Sequence, residues 1–276
     1  MYALLDSGNQ QKLERFGEFT FVRPSSQALW KPELEQSAWR GADGYFSREE
    51  GKGWSFAKKL PTHWVLEWKG LRFKIAPTDF GHMGIFPEHE SVWSFAAEQV
   101  ARSGRPVQLL NLFAYSGAAT LACARAGAEV CHLDASNGMV AWARENAALS
   151  GAGHLPIRWI VDDAFKFLKR EIKRGRRYDA IVLDPPTFGR GSGGELFKIE
   201  QDLPELLSLC RTLLSEKPLF IALTCHTPGM TPLILTHLLE ELRLGGETVA
   251  GELVIPVVRP GKRPLPSGCF AKVVLA

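Results

Sequence analysis

Several features that identify common classes of protein are missing from this chain of 276 residues. No stretch approaches the roughly 18 consecutive apolar residues of a membrane-spanning helix, so we expect no membrane segment. The first residues lack the basic start and the long apolar core of a secretory signal. The five cysteines form no CxxC pair and no metal-ligand spacing, so we predict no metal site and free thiols in a reducing cytoplasm.

Two nucleotide-binding signatures are missing from the loop at residues 113–117. This loop follows a short apolar run, but it has neither the GxGxxG dinucleotide fingerprint nor the GxxxxGK[ST] phosphate loop, which argues against NAD and ATP as ligands. The net charge of +3 is mildly basic and permits a nucleic-acid partner without requiring one. A hydrophobic content of 45% is enough for a sizeable globular core.

The first 78 residues differ from the rest of the chain in composition and in predicted secondary structure. Three segments rich in aromatic and β-branched residues, 19–22, 63–68 and 71–76, predict strands, whereas 41–53 carries glycine and charge and predicts a loop. Five of the eight tryptophans lie between Trp30 and Trp68. We therefore predict a small β-rich accessory domain over residues 1–78, followed by a second domain over 79–276.

From about residue 88, short apolar runs alternate with helical patterns, which predicts an α/β domain with a wound parallel sheet. The predicted strands are 109–112, 129–133, 157–161, 180–183, 219–223, 249–256 and 269–275. The predicted helices are 91–102, 118–126, 137–149 (with Asn137 as N-cap), 164–173, 200–214 and one that starts at Thr231.

Three of these predicted strands end in polar groups. Gly117 lies in the loop after the first, Asp134 ends the second, and Asp184 follows the fourth. Ligands of open α/β sheets bind beyond the carboxyl ends of the strands, so we expect these groups to share one crevice. Asp134 suits the hydroxyls of a ribose, or it caps a helix. Asp162 or Asp163 suits an adenine amine, or it too caps a helix.

These segments, LLNLFAYSGAATL, HLDAS, DDAFKFL and LDPPTF, resemble in order and spacing the motifs of class I S-adenosylmethionine-dependent methyltransferases. They are most similar to the large-subunit ribosomal RNA methyltransferases, a group with cytosine-C5 and guanine-N2 enzymes, and GHMGIFPEHESVW resembles the segment that precedes the cofactor loop there. The resemblance implies a Rossmann-like seven-stranded sheet with an antiparallel last strand, and S-adenosylmethionine as cofactor.

The resemblance also implies roles for individual residues. Tyr115 and Gly117 would line the methionine moiety, Asp134 would hold the ribose, Asp163 would lie near the adenine, and Phe86 would close the pocket from the side. The full set of expected cofactor-binding residues is Phe86, Asn111, Phe113, Tyr115, Gly117, Asp134, Ala135, Ser136, Asp162, Asp163 and Asp184.

Asp184, Pro185 and Phe188 are the expected reaction centre. Two consecutive prolines stiffen the backbone, so the carboxylate of Asp184 meets a substrate amine with little reorganisation. Similar DPPY motifs hold an exocyclic base nitrogen and stack their aromatic ring on a flipped base, but here Thr187 precedes Phe188. The rival chemistry, methylation of cytosine C5, needs a thiolate, for which Cys225 is the candidate; a buried, inert thiol is the alternative.

A run of basic residues lies at helical spacing after Asp163. It predicts either a phosphate-binding stripe or a solvated helix face, and Arg190 in the glycine-rich loop 189–194 extends it. The expected RNA contacts are Lys166, Lys169, Arg170, Lys173, Arg174 and Arg190.

Together these observations predict a cytoplasmic methyltransferase that acts on a base of ribosomal RNA. Two alternatives stay open. One keeps the cofactor and changes the acceptor to a protein or small-molecule amine, and the other is a non-catalytic RNA-binding protein on the same scaffold.

Overall fold

Backbone hydrogen bonds organise the chain into four sheets in the computed structural model, which describes residues 1–49, 51–190, 196–257 and 263–275. The residues group into two compact units. One comprises Met1–Glu88 and Val254–Ser267, and the other comprises His89–Leu253 and Gly268–Ala276. The predicted boundary at residue 78 lies ten residues before the end of the first segment, and the accessory role of the first unit stays a prediction. Among the described residues, no helix has the length and apolarity needed to cross a membrane.

The first unit is β-rich, as the sequence predicted. β1 to β5 form one sheet in chain order, and β6 pairs with β7 in a hairpin. The elements are β1 (Tyr2–Gly8), β2 (Gln11–Phe16), β3 (Phe19–Pro24), α1 (Gln36–Arg40), β4 (Gly44–Ser47), β5 (Gly53–Phe56), β6 (Trp64–Trp68) and β7 (Leu71–Ile75).

The prediction of a loop over residues 41–53 is wrong, because β4 lies within it and pairs with β3 and β5. Gly44 permits this pairing, since a Cβ atom there would lie 2.8 Å from the ring of Phe21. β1 was not predicted because Asp6 interrupts its apolar pattern. The Asp6 carboxylate is buried and accepts backbone N–H groups from Glu33 and Leu34 and the indole N–H of Trp39.

Helices and strands alternate along most of the second unit. Its elements are α2 (Glu90–Arg102), β8 (Val107–Leu112), α3 (Ala118–Arg125), β9 (Ala128–Asp134), α4 (Asn137–Leu149), β10 (Ile157–Val161), α5 (Ala164–Lys173), β11 (Ala180–Leu183), β12 (Phe188–Arg190), β13 (Leu196–Lys198), α6 (Ile199–Thr212), β14 (Phe220–Cys225), α7 (Pro232–Glu240), β15 (Glu247–Ile255) and β16 (Leu265–Val274).

The strands of this sheet are apolar throughout because helices cover both faces. In β11, Ile181 and Leu183 pack into a core with residues of α5 and α6, whereas Ala180 and Val182 pack into a second core with residues of α2. Successive side chains of a strand point to opposite faces, so a strand between two helix layers has no polar face. This explains why β11 is an unbroken apolar run.

The sheet has seven strands in the order β10-β9-β8-β11-β14-β16-β15. The ladders from β10 to β14 are parallel, and β16 runs antiparallel to β14. The predicted Rossmann-like, seven-stranded fold is therefore confirmed. The chain order reverses between β8 and β11, and the crevice at such a switch point is where α/β folds bind ligands.

A buried carboxylate anchors the basic helix α5 to the sheet. Glu171 is fully buried and accepts hydrogen bonds from Arg158 at 2.8 Å, Tyr178 at 2.6 Å and Arg174 at 3.0 Å. Burial alone would raise the pKa of Glu171, but these three donors more than offset it and lower the pKa from 4.5 to about 2. The buried side of this helix thus contains a charged network as well as apolar residues.

We expect Glu171→Gln to destabilise the fold by about 3 kcal/mol near neutral pH, the value that corresponds to a pKa lowered from 4.5 to about 2. A lowered carboxyl pKa stabilises the folded state above pH 4.5, and that stabilisation is lost as the pH falls toward 2. The difference between the variant and the wild type, measured by urea unfolding, shrinks over the same interval.

Glu205→Gln is the matched control. Glu205 pairs with Lys169 at 2.9 Å, but both side chains are exposed, so its loss changes stability by less than about 1 kcal/mol. Equal effects of the two substitutions would contradict a structural role for the buried network.

Candidate active site

The carboxyl ends of five neighbouring strands form one rim, and most predicted site residues lie along it. Asp162 and Asp163 follow β10, Asp134 ends β9, the loop 113–117 follows β8, Asp184 follows β11, and Cys225 ends β14. Parallel register aligns these ends, since Leu112 of β8 is level with Leu133 of β9 and with Leu183 of β11. The predicted convergence of three strand ends is thus present.

The loop after β8 has an unusual backbone. Phe113 (φ 54°), Tyr115 (φ 49°) and Gly117 (φ 88°) all have positive φ, a region that side chains disfavour. Gly117 also lies close to α4, because a Cβ atom there would be 3.1 Å from the Cβ of Ala143. The backbone N–H of Ala114 donates to the Leu133 carbonyl at 3.0 Å, which ties the loop to β9.

Asp134 fixes this loop from the neighbouring strand. Its carboxylate accepts the backbone N–H of Tyr115 at 2.9 Å and that of Ser136 at 2.8 Å. Burial raises the pKa of Asp134, and the two hydrogen bonds offset part of that rise. A carboxylate has about four lone-pair sites, so two backbone donors leave room for ribose hydroxyls. The remaining acceptor sites of Asp134 therefore fit the ribose hydroxyls of a nucleoside.

The two acids after β10 have structural partners. Asp163 caps α5, accepting the backbone N–H of Lys166 at 3.0 Å, and Asp162 forms an ion pair with Arg170. Asp163 is therefore a helix cap, which was one of the two alternatives. Its contact with adenine stays a prediction. Ser136 caps α4, so the predicted N-cap at Asn137 is wrong by one residue.

Two predicted cofactor residues differ from the others in their location in the chain fold. Asn111 is buried inside β8, and its amide donates to the hydroxyl of Thr120 at 2.9 Å, so it supports the loop from the core rather than lining a pocket. Phe86 belongs to the first unit, where its ring contacts that of His82 at 5.1 Å, and its role as a side wall stays a prediction. Ala135 is half-buried in the turn after β9.

The aromatic residues of the site differ in exposure. Phe113 packs at 5.7 Å against Phe197 of β13, whereas Phe188 is 52% exposed. Of the two prolines after Asp184, Pro185 is buried and Pro186 is exposed. The predicted glycine-rich loop 189–194 begins instead as strand β12, paired with β13, and residues 191–195 lie outside the described residues.

Asp184 is surrounded by hydrogen-bond donors. Its Oδ1 accepts the hydroxyl of Thr224 at 2.6 Å and lies 3.5 Å from Nδ1 of His226, and its Oδ2 lies 3.6 Å from Nε2 of His89. Burial would raise the pKa of Asp184, but the two imidazoles and Thr224 more than offset it and lower the pKa to about 2. Asp184 is therefore an anion at neutral pH.

Two histidines that the sequence did not predict as site residues lie beside Asp184. The ring of His226 faces Asp184, and its Nε2 lies 3.3 Å from Nε2 of His89. His89 precedes α2 and is 137 residues from His226 in the chain. His89 lies within the segment GHMGIFPEHESVW, but the resemblance of that segment gave it no role, so only the fold reveals this cluster.

Cys225 lies in the core rather than on the rim surface. It is 1% exposed and stands directly opposite Cys269 in the antiparallel pairing of β14 with β16. The Cys269 thiol and the backbone N–H of Thr227 stabilise its thiolate and lower the pKa of Cys225, although burial opposes this. The thiol is thus acidic but shielded from any ligand at the rim.

The basic residues of α5 are exposed, and several are paired. Lys169 contacts Glu205, Arg170 contacts Asp162, and Arg174 contacts Glu171. Lys166 and Lys173 share the exposed surface, and the side chain of Arg190 lies outside the described residues. Because exposed ion pairs are weak, phosphates could still compete for these cations.

The family is established by comparison with known proteins. Residues 44–236 match the family described as S-adenosylmethionine-dependent methyltransferase, and the chain belongs to this family. The resemblance to S-adenosylmethionine-dependent methyltransferases that the sequence carries is therefore confirmed.

Relatives of this chain are known from sequence and from structure. Ribosomal RNA large subunit methyltransferase K/L of Shewanella baltica is 31% identical over 174 residues, which cover 61% of this chain and 24% of the relative. The same-named protein of Methylococcus capsulatus is 36% identical over 161 residues, which cover 57% and 21%. The chain thus spans about a quarter of the length of the curated relatives it matches.

A crystal structure of a SAM-dependent methyltransferase from Agrobacterium tumefaciens is similar over the whole chain. Its TM-score is 0.95 at 39% identity, and the match covers 100% of this chain and 90% of that one. The similarity extends over the β-rich first unit as well as the second unit.

We expect Gly117→Ala to lower the free energy of unfolding by about 1–3 kcal/mol more than Gly229→Ala does. Both glycines have φ near +90°, so the conformational strain is matched, but only at Gly117 does the new Cβ meet a neighbour within 4 Å. Urea unfolding of both variants measures the difference. Equal losses of unfolding free energy in the two variants would contradict the prediction, because they would show that α4 moves to accommodate the added methyl group.

Proposed function

We propose that this protein methylates a base of ribosomal RNA. The observation that carries the proposal is the ionised Asp184, held at the end of β11 directly beside the loop that follows β8. A carboxylate next to a methyl donor suits a planar amine, because it accepts the amine N–H and leaves the nitrogen lone pair directed at the donor. The names of the relatives from Shewanella baltica and Methylococcus capsulatus support RNA as the acceptor.

The residues of the rim have separate roles in this proposal. S-adenosylmethionine supplies a methyl group on a positively charged sulfur. Asp134 holds its ribose, and Tyr115 and Gly117 line its methionine end. Asp184, whose pKa is about 2, orients the acceptor amine but is too weak a base to keep its proton. Phe188, which is 52% exposed, offers a ring on which a base can stack.

Methylation at a heteroatom fits the site better than methylation at cytosine C5. The C5 reaction requires a thiolate to attack C6 of the base, and Cys225 is 1% exposed beneath the rim. Its lowered pKa favours a thiolate, but the base has no route to a sulfur enclosed between β14 and β16. Burial of the thiol thus supports methylation at a heteroatom, because addition of a thiolate to C6 needs direct contact between the sulfur and the base.

The exposed cations of α5 support a nucleic-acid acceptor over a protein or small-molecule amine. Lys166, Lys169, Arg170, Lys173 and Arg174 all lie on solvent-exposed positions of one helix, and α5 begins at the rim, directly after Asp163. Their contact with RNA phosphates, and that of Arg190, is part of the proposal. A cytoplasmic location is proposed as well, since all five cysteines are free and buried.

Methyl transfer from S-adenosylmethionine to ribosomal RNA tests the proposal directly. RNA purified from cells that lack the protein is incubated with the purified chain, digested and examined by mass spectrometry for a gain of one methyl group on a nucleoside. We expect that gain with the wild type and its loss with Asp134→Asn. Calorimetry should show at least about tenfold weaker cofactor binding by this variant, since it loses a charged acceptor.

Glu129→Gln is the control for that substitution. Glu129 lies at the start of β9, the end opposite to Asp134, and its exposed carboxylate accepts a hydrogen bond from the amide of Gln108 at 2.6 Å. We expect it to bind the cofactor as the wild type does. Methylation of proteins or small amines in a cell extract, with ribosomal RNA unmodified, would overturn the RNA proposal.

We expect Cys225→Ala to retain methyl transfer to within a few-fold, because the buried thiol takes no part in chemistry at a heteroatom. Cys210→Ala is the matched control, since Cys210 is also a buried thiol of the same core. Turnover is measured for both variants under conditions where each is folded. Complete loss in the Cys225 variant alone, with cofactor binding intact, would establish the C5 mechanism instead.

A further inference from the structure

Three side chains that can bind a metal ion converge at the acceptor end of the rim. His89 precedes α2, Asp184 follows β11 and His226 follows β14, so three separate elements supply them. Their ligand atoms all lie within 4.8 Å of one another. The prediction of no metal site rested on cysteine spacing, which gives no information about histidines so far apart in the chain.

The distances suit a small tetrahedral ion. Nε2 of His89 lies 3.3 Å from Nε2 of His226 and 3.6 Å from Oδ2 of Asp184. Donor atoms at about 2.0–2.1 Å from a tetrahedral zinc ion are roughly 3.3–3.4 Å apart, so these two separations are close to those of a bound zinc ion. Two imidazoles and one carboxylate are also the donor types that zinc accepts.

Neighbouring groups hold the ligands in suitable orientations. The Thr224 hydroxyl donates to Oδ1 of Asp184 at 2.6 Å, which leaves Oδ2 directed toward His89. Nδ1 of His226 faces the same Oδ1 at 3.5 Å, so its Nε2 is the nitrogen presented to an ion. Such hydrogen bonds behind the ligands are typical of protein metal sites.

Gly268 makes room for one of the ligands. A Cβ atom at this position would lie 3.0 Å from Cδ2 of His226 and 2.7 Å from the carbonyl oxygen of Cys225. Any side chain there would displace the imidazole. The fold thus keeps space for the ring in the position that brings it beside Asp184 and His89.

We propose that His89, Asp184 and His226 bind a divalent zinc ion whose fourth coordination position is open. The side chains are 18%, 27% and 34% exposed, so the ion is reachable from solvent and one position is left for water or a substrate atom. An ion in this place occupies the carboxylate that holds the acceptor amine, so zinc and the acceptor compete for Asp184. That consequence rests on the proposed function, whereas binding of the ion does not.

Titration of the chelator-treated, full-length protein with Zn²⁺ in a calorimeter tests the site without any methyl acceptor. We expect one ion per chain. His89→Gln and His226→Gln should each weaken binding by at least about 100-fold, because loss of a direct ligand costs no less than loss of a group behind it. Titration with Co²⁺ in parallel should give the visible absorption of a tetrahedral site.

Two further variants separate this site from other zinc ligands. His154→Gln removes an exposed imidazole elsewhere in the same unit, and Cys225→Ser removes the nearby thiol. Both should bind Zn²⁺ as the wild type does. In an NMR spectrum of the wild type, Zn²⁺ should shift the imidazole signals of two of the seven histidines, which checks the site in the unmodified protein.

The outcomes are distinct. No binding by the wild type at about 100 µM Zn²⁺, or binding by both histidine variants with the affinity of the wild type, overturns the metal site whatever the protein methylates. Zinc binding together with unmodified ribosomal RNA upholds the metal site and overturns the proposed acceptor. Zinc binding with inhibition of RNA methylation supports both.

Discussion

The in-register parallel pairing of β8 with β11 is the constraint on which the active site depends. These two strands lie side by side near the middle of the sheet, at the point where the order of the strands along the chain reverses. Because Leu112 and Leu183 are level, the loop that follows one strand and the acid that follows the other emerge side by side. A slip of one residue would turn the side chains of β11 to the opposite faces and carry Asp184 away from the rim.

Electrostatics divides this rim into two parts. At the end of β9, burial raises the pKa of Asp134, and backbone N–H groups hold its carboxylate in place. After β11, imidazoles and a hydroxyl lower the pKa of Asp184 despite its burial. The two carboxylates lie on either side of β8 and have opposite pKa shifts, which suits one to neutral hydroxyls and the other to a positively polarised group or a cation.

Strand and helix positions in the second unit were largely predictable, because strands buried on both faces are continuous apolar runs with polar ends. For example, the predictions of a strand over 157–161, a helix over 164–173 and a strand over 180–183 coincide with β10, α5 and β11. β4 was missed because its glycine and charged neighbours resemble a loop, and only the ring of Phe21 explains the glycine. Within the candidate site, Asp134 and Asp184 were predicted because they lie at strand ends, whereas His89 lies in a segment whose resemblance gave it no role. The apolar context of Cys225 indicated a buried thiol, but its pairing with Cys269 required the fold.

The composition of the first unit has a consequence for how the protein is made. Val254–Ser267 belongs to this unit, although nearly the whole second unit separates it from Met1–Glu88 in the chain. A ribosome must therefore translate the methyltransferase sheet up to β15 before the amino-terminal unit has all of its parts. Domains usually fold as they are synthesised, with the amino-terminal domain first. Here Met1–Glu88 shares its unit with a segment that is synthesised near the end of the chain. Likewise, removal of residues 1–88 would leave Val254–Ser267 without the rest of its unit.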